Sequence, residues 1–126
     1  MKNEKNDVWD KSECNGFILP IRDALEMFSG KWKIPIISAL LFVGESGFKD
    51  LERMVMDITP KMLSKELKEL ETNLMVERIV LDTRPVKVKY RITEYGKSSQ
   101  LVIDALLQWG RKHREKIMSE EVKSPA

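Results

Sequence analysis

Residues 59–73, TPKMLSKELKELETN, followed by residues 76–93, VERIVLDTRPVKVKYRIT, decide the fold of this chain. In the first stretch Thr59 can cap a helix through its hydroxyl, and Pro60 suits the first helical position, where no hydrogen bond is lost. Leu63, Leu67 and Leu70, with Leu74 beyond them, recur at helical spacing and form one apolar stripe. Lys61, Lys65 and Lys68 recur at the same spacing, but Lys61 precedes Leu63 by two positions, roughly 200° around the helix. The helix therefore packs by its leucines and turns its lysines outward, with Ser64 beside them. The second stretch holds two β-rich runs around a polar turn that contains a proline. In the second run Val86, Val88, Tyr90 and Ile92 alternate with Lys87, Lys89 and Arg91, so one strand face is apolar and the other basic. A basic helix followed by a basic hairpin reads as a recognition helix and wing on DNA.

Each half also has a plainer reading. A lysine line on a helix is often a solvated face, and Glu66, Glu69 and Glu71 balance its charge in number. Those glutamates are nevertheless rotated away from the lysine line. Alternating lysines on a hairpin also guard a sheet edge against aggregation. Adjacent and in this order, the two halves are more specific than either alone.

At these residues the chain resembles the HxlR-type winged helix-turn-helix regulators, a MarR-like family. The resemblance is carried by Ile58-Thr59-Pro60-Lys61-Met62-Leu63, Leu67, Leu70-Glu71, Val76 and Arg78, then Pro85, Val88, Tyr90 and Thr93. Upstream it includes Gly30-Lys31-Trp32 and Phe48-Lys49-Asp50-Leu51-Glu52-Arg53; downstream it includes Gly96 and Trp109-Gly110. It extends over roughly residues 20 to 112. The resemblance implies a dimeric bacterial transcription regulator, more commonly a repressor. It also implies that a small-molecule or oxidant effector is to be considered, because some members sense electrophiles or oxidants through an N-terminal cysteine. The family usually has a glycine where this chain has Leu74; Asn73 is expected to supply the left-handed residue that ends the helix instead.

The 126 residues suit one domain. An apolar content of 42% and a charged content of 33% fit a soluble globular protein. The net charge of +2 does not announce a nucleic-acid partner, but residues 84–91 hold four basic side chains and no acid. One cysteine excludes an internal disulfide and fits a reducing compartment. No signal peptide or membrane span is visible, so a cytoplasmic protein without a membrane partner is expected.

Along the chain, residues 1–13 read as a flexible arm, with Trp9 packing on the body or on a partner; residues 14–118 read as the folded domain and residues 119–126 as a disordered tail. Pro20 is expected to open a first helix with Ala24, Leu25 and Phe28 on one face. KWKIPIISALLFVG is apolar nearly all round and reads as a buried central helix with Pro35 in its first turn, since Pro deeper inside costs about 3 kcal/mol. Around Gly47 a bridge or short strand would add a third member to the wing sheet. Residues 48–55 read as the positioning helix and 56–58 as the turn. After Thr93, a cap, a long terminal helix crowds Leu101, Val102, Ile103, Ala105, Leu106, Leu107 and Trp109 into nine positions. One face on its own domain needs only about three or four apolar residues per two turns. The excess is met either by a thick contact within the chain or by the same helix of a second copy in a two-fold dimer, with Leu101, Val102, Leu106 and Trp109 in the interface.

Catalysis finds no footing. His113, amid Arg111, Lys112 and Arg114, has no carboxylate constellation around it, and one histidine with one cysteine cannot supply the usual zinc spacing. No phosphate-cradling glycine loop and no nucleophile motif is present, so neither enzyme activity nor a cofactor is expected. Cys14 is the candidate redox-sensing residue. It lies six residues before Pro20, whereas the sensing cysteine of many family members directly precedes that proline; here that slot is Leu19.

Together these readings give an α+β winged helix-turn-helix protein that binds promoter or operator double-stranded DNA as a homodimer. Thr59, Lys61, Ser64, Lys65 and Lys68 would face the major groove, with Arg84, Lys87, Lys89 and Arg91 placing the wing on flanking backbone or minor groove. A winged-helix protein–protein module that never touches DNA is the rival from another class.

Overall fold

The recognition-helix stretch forms α4, Pro60–Thr72. Thr59 stands in extended backbone and its Oγ1 accepts a hydrogen bond from the Met62 amide at 3.1 Å, with Pro60 in the first helical position. Leu63, Leu67 and Leu70 are buried, while Lys61, Ser64, Lys65 and Lys68 are exposed. The C-terminal stop differs from expectation. Asn73 has φ −88°, and the left-handed residue is Leu74 at φ +65°. The Leu74 amide donates to the Glu71 carbonyl at 3.1 Å and the Met75 amide to the Leu70 carbonyl at 2.9 Å. This pairing places the left-handed residue one position after the cap, which is Leu74, and leaves Asn73 in the cap itself. There the Asn73 side-chain amide donates to the Glu69 carbonyl at 2.9 Å.

The computed structural model describes residues 14–123. The arm expected over residues 1–13, with Trp9, lies outside them. In chain order the elements are α1 Cys14–Met27, α2 Lys33–Val43, β1 Ser46–Gly47, α3 Phe48–Met54, α4, β2 Val76–Leu81, β3 Lys87–Ile92, α5 Glu94–Lys97 and α6 Gln100–Lys123. The strands form one antiparallel sheet in the order β1-β3-β2. The short third strand expected around Gly47 is therefore present, with Ser46 opposite Tyr90 and Gly47 opposite Lys89. Between α3 and α4, Asp57 takes φ +71°, a conformation that Asp tolerates better than most residues. The core joins Ile36, Ile37 and Leu40 of α2 to Leu51, Val55 and Ile58, the α4 leucines, Met75 and Val76. With α3 and α4 as the helix pair and β2–β3 as the hairpin, the architecture is an α+β winged helix-turn-helix with flanking N- and C-terminal helices.

Five further expectations need adjustment. Pro20 lies inside α1 rather than at its start. It sits in the second turn, where the missing amide forfeits a single hydrogen bond, to the Gly16 carbonyl. Met27 at the end of α1 and Phe28 just after it reach the core, whereas Leu25 points to solvent. The central helix α2 is buried on one face only, and Phe42 at its end is 91% exposed. The terminal helix is broken in two. Thr93 caps α5, its Oγ1 accepting from the Gly96 amide at 2.8 Å, and the chain turns at Ser98 and Ser99 before α6 begins. Gly96 explains why the chain is held there: a methyl group on it would collide with the Met75 carbonyl and the Ile92 side chain. Finally, α6 continues to Lys123, so the tail boundary expected at Ser119 falls inside a helix.

Candidate nucleic-acid interface

The exposed basic residues of the sequence argument gather on the outward face of α4 and the basic face of the wing. At the start of α4 the Met62 amide is held by Thr59 Oγ1 and the Leu63 amide by the Thr59 carbonyl, and Pro60 has no amide. Among the described residues, the Lys61 amide is thus the first-turn donor left for an anion, beside the Thr59 hydroxyl proton. Lys61, Lys65 and Lys68 have no ion-pair partner among the described residues, although Glu66 and Glu69 lie on the same helix. The reason is rotational. Glu66 faces inward and Glu69 is half-buried, both held by Lys33, although Lys65 also acts on Glu69 through its charge; Glu71, expected to turn away as well, is exposed and lines the cleft beside Lys68.

In the wing, strand register separates the faces. Leu81 pairs with Lys87, Ile79 with Lys89 and Glu77 with Arg91 on one side; Val76 pairs with Ile92, Arg78 with Tyr90 and Val80 with Val88 on the other. The basic alternation is real, but its members are not equivalent. Arg91 Nε donates to Glu77 Oε2 at 3.0 Å across the sheet. The hydrogen bond and charge of Glu77 raise the pKa of the Arg91 guanidinium above its ordinary value. Its charge is thereby already partnered. Arg84 and Lys87 are exposed and Lys89 is half-buried, and none of the three has such a partner among the described residues.

Two contributors were missed by sequence reasoning. Arg78 lies on the strand face that turns toward α4, and with Ser64, Lys68, Glu71 and Tyr90 it lines an open cleft of about 310 Å³ between recognition helix and wing. Its signal was present: Arg78 occupies the apolar phase of its strand, between Val76 and Val80. The second is Lys33, 5% exposed at the start of α2, where it is hidden in an apolar run of sequence. It bridges Glu69 Oε2 at 2.6 Å and Glu66 Oε2 at 2.8 Å. Burial pulls its ammonium pKa down, but the hydrogen bonds and charges of the two glutamates outweigh this and raise it above 10.5. A buried lysine in an apolar helix is the cue that a carboxylate must lie opposite.

Of the residues expected at a dimer interface, Leu101 is 79% and Trp109 66% exposed, with Val102 and Leu106 also open to solvent; only Ile103 of this run packs against the core. A thick contact within the chain is therefore not what α6 makes. Trp109 stacks on His113 at 5.0 Å between ring centroids. Cys14 is the first residue of α1.

The same architecture recurs in known proteins. Residues 27–118 match the model of the HxlR-like helix-turn-helix family. The HTH-type transcriptional regulator YtcD of Bacillus subtilis is 35% identical over 108 residues, covering 86% of this chain and 85% of its own. Among solved structures, the redox regulator HypR in its reduced form aligns with TM-score 0.74 at 31% identity, over 79% of this chain and 98% of that one. The reduced form of the transcriptional regulator YodB of B. subtilis aligns with TM-score 0.65 at 38% identity, over 71% and 87%.

Proposed function

The chain belongs to the HxlR-like helix-turn-helix family and is a DNA-binding transcription regulator, and from that premise we propose that it acts as a homodimeric repressor on a two-fold-symmetric operator. α4 enters the major groove with Lys61, Ser64, Lys65 and Lys68 toward bases and phosphates. Thr59 and the Lys61 amide meet a phosphate at the helix start, where the helix dipole favours an anion. The wing lays Arg84, Lys87 and Lys89 along flanking backbone, with Arg91 a weaker contributor because Glu77 already holds it. Arg78 joins Lys68 at the cleft between the two elements.

One observation carries this reading: an unpaired lysine line stands on the outward face of a capped helix, directly beside the unpaired basic part of a hairpin. A protein–protein module has no need of that juxtaposition. Gel-shift with random genomic duplex fragments tests it, and retention of no fragment at micromolar protein would end it.

The homodimer is supported by two exposed apolar surfaces that adjoin. Ile18, Leu19, Ile21 and Leu25 on α1, and Leu101, Val102, Leu106 and Trp109 on α6, remain uncovered. Ala24 and Met27 of α1, with Phe28 just after it, share a groove with Val102 of α6, so the two helices lie side by side there. Exposed apolar area of this extent marks an interaction surface, and a second copy places identical helices against each other.

Redox control is the second part of the proposal. HypR is described as a redox regulator, resolved in reduced and oxidised forms, and Cys14 begins a helix of the proposed interface. Modification there would displace α1 and alter the spacing of the two recognition helices. The check is operator affinity of wild type and Cys14→Ser, each with and without diamide. Identical responses in the two proteins would remove Cys14 from the mechanism.

A further inference from the structure

Lys33 does something the DNA-facing residues do not explain. It sits at the first position of α2, where the positive end of the helix dipole disfavours a cation. It is also buried, which disfavours a charge anywhere. Both penalties are met by carboxylates from one place only, the inner edge of α4. Glu66 and Glu69 are three residues apart and so stand one above the other on the helix, which lets both reach the same Nζ, at 2.8 and 2.6 Å. Glu66 is 7% exposed, and its Oε2 accepts no hydrogen bond beyond that ion pair.

We infer that Lys33 is a positioning residue for DNA recognition: its ammonium pins the inner edge of α4 to the corner between α1 and α2, and so sets the rotation at which the Lys61–Lys65–Lys68 line faces the groove. The inference rests on the DNA-binding role of α4 proposed above. The leucine stripe alone cannot do this, because apolar packing is non-directional and tolerates small rotations about the helix axis. A charge-assisted hydrogen bond to Glu69 is directional, and the 2.8 Å ion pair to Glu66 fixes the same buried nitrogen at a second point. Among the described residues, no other ion pair or side-chain hydrogen bond joins α4 to another helix. The pin therefore ties the recognition helix to the start of α2, the helix that carries Ile36, Ile37 and Leu40 of the core.

The test uses the full-length protein and two variants that leave net charge unchanged. Lys33→Met/Glu66→Leu replaces the buried pair by apolar side chains of similar size, an exchange that proteins often accept without loss of stability. Lys33→Glu/Glu66→Lys moves the ammonium to α4 and keeps the bridge, its partners now the carboxylate introduced on α2 and that of Glu69. Affinity is measured for a selected operator and for a scrambled duplex, with thermal unfolding in parallel. The apolar pair should lower operator affinity at least tenfold, leave scrambled-duplex affinity within about threefold and keep its melting temperature; the swapped pair should restore operator preference. An apolar pair that prefers the operator as strongly as wild type would overturn the positioning role while leaving the DNA-binding reading intact. So would a folded swapped pair that stays as indifferent as the apolar one. Wild type failing to distinguish the two duplexes would overturn the parent reading itself.

Discussion

The wing offers a quantitative perturbation because its basic residues are not alike. Among the described residues Lys89 has no ion-pair partner, whereas Arg91 is held by Glu77 at 3.0 Å on the neighbouring strand. Each phosphate neutralised contributes about 0.9 to the slope of log affinity against log salt, so Lys89→Ala in a dimer removes about 1.8. Between about 50 and 200 mM salt that amounts to roughly a twelvefold difference in how far affinity falls. Arg91→Ala should flatten the slope by less than half as much, since the guanidinium comes to the DNA already partnered. Glu77→Gln should do the reverse, releasing Arg91 and steepening the slope by up to about 1.8. Lys65→Ala, on the outward line of α4, should instead relax preference at one position of each half-site by about 1–3 kcal/mol with little change in slope. Fluorescence anisotropy on operator and scrambled DNA across a salt series reads all four. If Arg91→Ala flattens the slope as much as Lys89→Ala, the cross-strand pair does not neutralise Arg91 in the complex. If Lys89→Ala changes which sequences are preferred, reader and clamp have been exchanged.

Three other outcomes follow from the geometry. Leu106→Glu places a charge in the exposed apolar surface of α6 and should give a monomer in sedimentation at micromolar concentration; a wild type already monomeric there would remove the proposed interface. Leu74→Gly should stabilise the protein by about 1 kcal/mol in urea unfolding, because a left-handed Leu carries a Cβ penalty that Gly lacks; its side chain is 69% exposed, so little packing is lost, and a destabilised variant would contradict this. The hydrogen bond and charge of Lys33 hold Glu69 below its ordinary pKa of 4.5. A carboxylate depressed by folding stabilises the native state above its unfolded pKa, and that contribution disappears as pH falls through the lowered native value. Glu69→Gln should accordingly unfold with a shallower acid dependence below pH 4.5 than wild type, and an unchanged acid limb would show that the pair does not couple to folding.

How much of this was legible in the sequence depended on the range of the interaction. Thr59-Pro60 announces a helix start because capping is decided within four residues, and the alternation from Val86 to Ile92 announces a two-faced strand because the pleat has a period of two. The lysine line of α4 was readable for the same reason. What required a partner distant in sequence was not. Arg91 looked equivalent to Lys89 until register put Glu77 opposite it. Glu66 and Glu69 looked like counter-charges to the outward lysines, yet they belong to Lys33, more than thirty residues away. The stop of α4 was misplaced by one residue because Asn is the better left-handed former in isolation, while the paired backbone hydrogen bonds demand that conformation at Leu74. The break between α5 and α6 followed from close approach of Gly96 to the Met75 carbonyl, a contact that no local pattern encodes.

The central claim is that two copies of α4, held by a two-fold dimer, read a symmetric site. Selection of bound sequences from a random duplex library, carried out with reduced full-length protein, tests this most directly. The expected result is enrichment of an inverted repeat whose half-sites lie about one helical turn apart, or a multiple of it. Enrichment of a single unrepeated motif, or no enrichment over the starting library, would contradict it.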